Sequence, residues 1–137
     1  MDIKFPVEFV VHGTPISVQA KRPEARDEWK KRIRDASKAV IPEYHFASDD
    51  RMSVTLFYLP EVAMQGDIDN IVKPILDALG QHIYIDDVQV ERIVVQKFGP
   101  RNVFSFQQPS EIFLTAINGE KPILYIRVSN NPEEDLT

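Results

Sequence analysis

The segment DNIVKPILDAL, Asp69 to Leu79, sorts onto two faces when wound at about 100° per residue. Ile71, Val72, Ile75, Leu76, Ala78 and Leu79 share one broad side, while Asp69, Asn70, Lys73 and Asp77 share the other. A segment of this kind is stable only as a helix whose apolar side lies on a core, and Gly80 stands where a C-cap belongs. The Asp69–Lys73 and Lys73–Asp77 spacings are both i, i+4, which helix stabilisation alone would explain. Pro74 is harder to explain that way. Four or five residues inside a helix it removes a backbone hydrogen bond, so the lysine before it is expected beside an irregular turn.

What the helix packs on is written in the flanking patterns. IKFPVEFVVHG and RMSVTLFYL read as strands, the second with Met52, Val54, Leu56 and Tyr58 on one side. Glu24 to about Val40 reads as a further helix through Trp29, Ile33, Ala36 and Val40, ended by Pro42. HIYI and VQVERIVVQKF read as strands, and EIFLTAI with ILYIRVS as a terminal strand pair around Asn118-Gly119. Asp49-Asp50 reads as a turn before a strand. The expected architecture is an α+β (mixed α/β) single compact domain: a mixed sheet carrying two main helices, in the order β-α-β-α-β-β plus a C-terminal strand pair. The domain is expected over 1–130, with 131–137 (NPEEDLT) a flexible acidic tail.

At 137 residues the chain is long enough for one core of its own, and 43% hydrophobic with 27% charged residues is ordinary globular composition. There is no cysteine, which excludes disulfides, thiolate zinc sites and thiol catalysis together. No apolar run approaches membrane-span length, and MDIKFPVEFVV lacks the pattern of a signal peptide, so a cytoplasmic protein without a membrane partner is expected. His12, His45 and His82 lack ligand spacing, although His82 lies close in sequence to Asp86 and Asp87, and Tyr84 and Phe98 read as core.

Charge is unevenly spread. The chain carries a net −5, yet residues 21–40 hold Lys21, Arg22, Arg26, Lys30, Lys31, Arg32, Arg34 and Lys38 against only Glu24, Asp27, Glu28 and Asp35. That stretch is a solvated helix face or a surface for phosphates.

Carboxylates gather elsewhere. Asp67 and Asp69 are two apart in what reads as extended chain, so both leave on one side. IYIDD then runs an apolar stretch into Asp86 and Asp87, whose burial is costly unless something cationic meets them. Magnesium takes hard oxygen ligands, and Asp67, Asp69 and Asp86 or Asp87 supply them if the chain returns beside the helix start. Lys73 would then neutralise a phosphate oxygen, in the usual logic of metal-assisted phosphodiester cleavage.

With those residues in place, DIDNIVKPILDALGQHIYIDDVQV resembles the central signature of the RusA family of Holliday-junction resolvases: Asp-x-Asp-Asn, a lysine three residues on, Asp-Ala-Leu, then Asp-Asp-x-Gln-Val. The GTP at 13–15 and Trp29 in a basic helix resemble looser family features. The resemblance covers about the first hundred residues and is densest over 67–90. It implies that Asp67, Asp69 and Asp87 are catalytic metal ligands, with Asp86 a lesser member of the set. It implies that Lys73 is the essential lysine, and it places Asn70 and Asp77 beside the site. It implies a Mg²⁺-dependent endonuclease (Mn²⁺ substituting), without a nucleotide cofactor. Such an enzyme acts as a homodimer on branched DNA, nicking opposed strands of a four-way junction in recombination and repair. Here LPEVAMQG replaces an arginine-rich run before the first aspartate, and VFSFQQPSEIFLTAINGEKP reads as an insertion before the last strand. Lys21, Arg22, Arg26, Lys30, Lys31 and Arg34 are the substitute DNA-binding residues. The alternative is a non-catalytic branched-DNA-binding dimer that keeps the resolvase fold. A nucleotide-sugar transferase shares the D-x-D but needs a larger nucleotide-binding domain.

Overall fold

The computed structural model describes residues 2–100 and 108–134. The chain begins with β1 (Val7–His12), in which Val7, Phe9 and Val11 point into the core and alternate with outward residues. Gly13 then turns the chain with φ +138°, and a Cβ there would stand 2.8 Å from Arg32 Nη1 and 3.1 Å from the Trp29 ring. Only glycine fits both the backbone and that approach.

The helix α1 (Pro23–Ser37) has proline at its first position, where the missing N–H is no loss. It buries Trp29, Ile33 and Ser37. It stops short of the expected Val40: the Ser37 hydroxyl donates to Arg34 O, and Val40 is left 41% exposed while Ile41 is buried. Next come β2 (Met52–Leu59), α2 (Asp69–Leu79), a 3-10 turn at Asp87–Gln89 and β3 (Val90–Lys97). The helix α3 (Glu111–Asn118) and the strand β4 (Ile123–Ser129) complete the chain.

The four strands form one mixed sheet in the order β1-β4-β2-β3. β4 runs antiparallel to β1 and β2, and β2 runs parallel to β3. The parallel pair needs a crossover, and α2 supplies it. β4 lies between two neighbours with both faces covered, which is why ILYIRVS is almost continuously apolar. One face of the sheet, through Val7, Phe9, Val54, Leu56 and Ile126, packs with Trp29 and Ile33 of α1 and Ile75 and Leu79 of α2. Fully buried aliphatic side chains such as Ile33, Ile75 and Leu79 each contribute about 1.5–3 kcal/mol. The other face holds a second cluster of Leu59, Phe98, Phe113, Ala116, Ile123 and Tyr125.

The α+β class and the mixed sheet agree with the sequence; two elements do not. EIFLTAI is helix α3, not a strand of a terminal pair. Ser110 caps it by accepting from Phe113 N at 3.0 Å, and Phe113 and Ala116 turn inward at helical spacing while Ile112 and Ile117 flank them. A short apolar run does not by itself reveal its period. HIYI is a turn: His82 N and Ile83 N both donate to Leu79 O, and Gln81 N donates to Tyr84 O at 2.6 Å with Gln81 at φ +62°. Ile83 and Tyr84 are both buried, which a strand with one covered face would not allow.

Of the expected tail, Glu133 pairs with Arg51 and Glu134 with Arg127, while Pro132 is buried; 135–137 fall outside the described residues. Residues 101–107, which include the first five of the expected insertion, fall outside them too. Among the described residues no helix is long and apolar enough to cross a membrane.

Candidate active site

The site is built on the polar side of α2. Its first turn carries no side-chain cap; Asn70 N and Ile71 N donate instead to Asp67 O and Ile68 O. Pro74 is buried inside the helix and has no N–H to give to Asn70 O, four residues earlier. That carbonyl accepts from Val18 N instead, at 2.7 Å. The proline thus opens a position on the helix backbone that fastens the 13–22 loop to it. At the other end, Asp77 O and Ala78 O accept from the Arg34 guanidinium of α1 at 3.1 and 2.9 Å. A cation on the final carbonyls also complements the helix dipole.

Between these anchors Lys73 leaves the helix with its ammonium shared by two carboxylates, Asp77 Oδ1 and Asp87 Oδ2, each at 2.8 Å. Its hydrogen bonds to Asp77 first and then to Asp87 raise its pKa above the ordinary lysine value, so it stays charged. Asp87 is held on its other side as well. The Tyr84 hydroxyl lies 3.5 Å from Asp87 Oδ1 and 3.3 Å from Leu76 O. Tyr84 is 0% exposed, and burial first, then the Asp87 charge, push its phenol well above the usual range. A Cβ on Gly80 would meet Asp87 Oδ1 at 3.4 Å and the tyrosine ring at 3.8 Å, ordinary contact distances that place the carboxylate beside the helix end.

The residues picked from sequence therefore separate into three groups. Lys73, Asp77 and Asp87 are brought together. Asp67 and Asp69 are exposed at the start of α2, with no hydrogen-bond or ion-pair partner among the described residues, and Asn70 borders them. Asp86 serves elsewhere: it caps the 3-10 turn, accepting from Val88 N at 3.3 Å, while Gln89 Oε1 accepts from Asp86 N at 2.8 Å. Gln89 Nε2 reaches on to the carbonyls of Ser48 and Asp50, fastening this turn to the β2 entry. The expected strand ending in two carboxylates is thus a capped turn, and capping turns the Asp86 side chain to its own backbone.

The basic helix divides too. Arg26 and Lys30 line a cleft of about 230 Å³ together with Val18, Pro74 and Asp77, which sets them beside the Lys73 cluster. Lys21, Arg22 and Arg26 have no ion pair among the described residues. Lys30 lies 3.8 Å from Asp27 and Lys31 3.2 Å from Asp35. Arg34, expected at the DNA, is the brace on α2. His82 faces α1 and not the carboxylates, its Nε2 2.7 Å from Ser37 Oγ.

Sequence reasoning passed over Tyr84, Gly80, Gln89 and Lys97. Tyr84 read as core, yet a buried phenol requires a partner for its hydroxyl, and IYIDD offered one three residues on. Lys97 closes the loop from the far side by donating to Gly66 O at 3.3 Å. Only the structure could reveal that contact. Beside Asp67 and Asn70 a larger open cavity of about 490 Å³ is lined by Thr14, Gln19, Tyr58, Met64 and Gln65, with no lysine or arginine in its wall.

Asp67, Asp69 and Asp87 are the donor chemistry a hard divalent cation takes, and two of them are free to turn. Among the described residues no three carboxylates or histidines stand close enough to share an ion, and Asp87 is turned onto Lys73.

No curated protein matches the chain. The profile of a family described as endodeoxyribonuclease RusA matches residues 8–104, from β1 through β3 and including every residue of the α2 cluster, while α3 and β4 lie beyond it. A match over more than half of the chain, carrying the aspartates and the lysine with it, makes this protein a member of the RusA family of endodeoxyribonucleases.

Proposed function

We propose that the protein is a Mg²⁺-dependent endonuclease that cleaves four-way DNA junctions as a homodimer, in recombination and repair. The observation that carries the reading is the convergence of Lys73, Asp77 and Asp87 on one side of α2, whose first turn carries Asp69; like Asp67, it has no partner among the described residues. Asp67, Asp69 and Asp87 are the residues that would hold the cation. When bound, it supplies an activated water and a polarised phosphorus centre.

The chain's own residues do the rest. Lys73 offsets charge on a phosphate oxygen as the bond to the leaving oxygen lengthens. Asp77 keeps the lysine on the site, and Tyr84 stands against the other side of Asp87. Arg26 and Lys30 hold flanking phosphates against the α1–α2 cleft, with Lys21 and Arg22 extending the track. Two opposed nicks call for two such sites related by a two-fold axis, which one copy of the chain does not contain.

The test is a labelled synthetic four-way junction incubated with the protein in Mg²⁺ or Mn²⁺, beside linear duplex and the Asp69→Asn variant. Paired nicks in opposed strands are expected, reduced on the order of a hundredfold or more in the variant. Salt-dependent binding without any product would favour the non-catalytic junction-binding dimer. Neither binding nor cutting by folded protein sinks both readings.

A further inference from the structure

A cavity of about 490 Å³ opens at the start of α2, and carboxamides from three separate segments line it: Gln19, Gln65 and Asn70. None of these three side chains has a hydrogen-bond partner among the described residues. Their backbones, by contrast, are tied down. Val18 N donates to Asn70 O at 2.7 Å, which sets Gln19 against α2. Lys97 Nζ donates to Gly66 O at 3.3 Å, which holds the segment carrying Gln65. Unpaired amides on an anchored backbone cost a ligand little to organise.

Charge decides which ligand. The wall carries Glu61 and Asp67 and no lysine or arginine, so it repels a phosphate. The cations stand around it. Lys21 and Arg22 follow Gln19 in the chain, Lys73 lies one turn beyond Asn70 on the same side of α2, and Lys97 holds Gly66 without itself entering the wall. Charge outside and uncharged hydrogen-bonding groups inside match the polarity of a nucleotide. We propose that the cavity receives one unstacked nucleobase of the DNA, held by its edge on Gln19, Gln65 and Asn70 while its phosphates stay on the surrounding cations. Each carboxamide offers a donor and an acceptor side by side, the pattern with which asparagine and glutamine read base edges. Val62, 75% exposed, and the partly buried Met64 offer apolar contact to the ring face. The volume is that of a small-molecule pocket.

The inference rests on the proposed nuclease reading and deepens it. A base enters only after leaving its stack, which costs least where pairing or stacking is already interrupted. The centre of a four-way junction is such a place, and intact linear duplex is not. The pocket therefore anchors the strand beside Lys73 on branched DNA and finds nothing to hold on duplex.

The test starts with fragments of the substrate. Protein labelled with ¹⁵N is titrated with deoxycytidine, deoxyadenosine and thymidine, and separately with deoxyribose 5-phosphate, following the side-chain amide resonances. Gln19→Ala and Gln65→Ala assign the two glutamine signals; both side chains are exposed, and an unaltered Tm confirms folding. Both signals are expected to shift with nucleosides at roughly millimolar concentration and to stay still with the sugar phosphate. Gln65→Ala is expected to weaken junction binding about fivefold, the value of one hydrogen bond, and to leave duplex binding unchanged. Glutamine signals unmoved by every nucleoside, while wild type still cuts junctions, would overturn the pocket and leave the nuclease reading standing. A sugar phosphate that shifts them as far as the nucleosides do would also overturn it, since the cavity then takes phosphate. Nucleoside shifts in a protein that neither binds nor cuts junctions would uphold the pocket and sink the nuclease reading.

Discussion

At the scale of single residues, neighbours decide charge more than residue type does. His82 lies five positions before Asp87, and from the sequence its place was near the carboxylates. The fold turns it onto α1, where the Ser37 hydroxyl has already given its proton to Arg34 O. Ser37 Oγ can then only accept, so the network assigns the proton to Nε2 of a neutral ring. Burial first, then repulsion from His45, Arg34 and Lys38, lowers the His82 pKa from 6.5 to about 4. Because the unfolded chain binds this proton more readily, the contribution to stability is fully present above pH 6.5. It is lost as the pH falls from 6.5 towards 4. His82 is only partly buried, so the effect is expected to be on the order of 1 kcal/mol. Urea unfolding measured between pH 7 and 4 should show a steeper decline for wild type than for His82→Gln. Parallel curves for the two proteins would show that His82 is not the group responsible. Tyr84 teaches the converse lesson: read alone it was core, and it is core, but its one polar atom is aimed at Asp87.

At the scale of elements, α2 was legible to the residue, from Asp69 to Leu79, because an amphipathic period and a glycine at the C-cap both point the same way. The elements that misled were short. EIFLTAI and HIYI each offer too few positions to separate a period of 3.6 from one of 2, and their real character comes from Ser110 capping one and Leu79 O closing the other. Pro74 was legible as an anomaly but not as a device, since its counterpart is the backbone of Val18, far away in sequence. That device is testable. Pro74→Ala restores an N–H four residues after Asn70 O and gains helix propensity, about 3 kcal/mol on the intrinsic scale. The new donor competes with Val18 N for one carbonyl. The Val18 amide is expected to lose protection from hydrogen exchange by up to about fivefold, as its hydrogen bond of about 1 kcal/mol is weakened or broken. The helix should remain intact. Unchanged exchange at Val18 would mean that the loop is held by its other contacts and that Pro74 is incidental to it.

At the scale of the whole molecule, the question is how a chain of net −5 meets a polyanion. Counting charges in the sequence overstates what α1 has to offer. Arg34 is spent on the carbonyls of α2, Lys31 and Lys38 both lean on Asp35, and Arg32 reaches His12 O and Glu28. Of these only the Arg34 brace ties α1 to α2, and it sets the remaining cations beside Lys73. None of this is visible in composition, because it depends on which side of α1 the sheet covers. The two roles of arginine on this helix therefore come apart on mutation. Arg34→Ala removes two charge-assisted hydrogen bonds, and is expected to destabilise the protein by about 1.5–3 kcal/mol, seen as a lowered Tm. The salt dependence of junction binding should be unaltered while the protein stays folded. Arg26→Ala is expected to do the reverse: an unchanged Tm, weaker binding at every sequence, and a slope of log K against log salt reduced by about 1, because one phosphate fewer is neutralised. Should Arg34→Ala flatten the salt slope as Arg26→Ala does, its guanidinium faces DNA in the complex and the α1–α2 brace opens on binding. The cations near Lys73 would then be positioned by the junction and not by the fold.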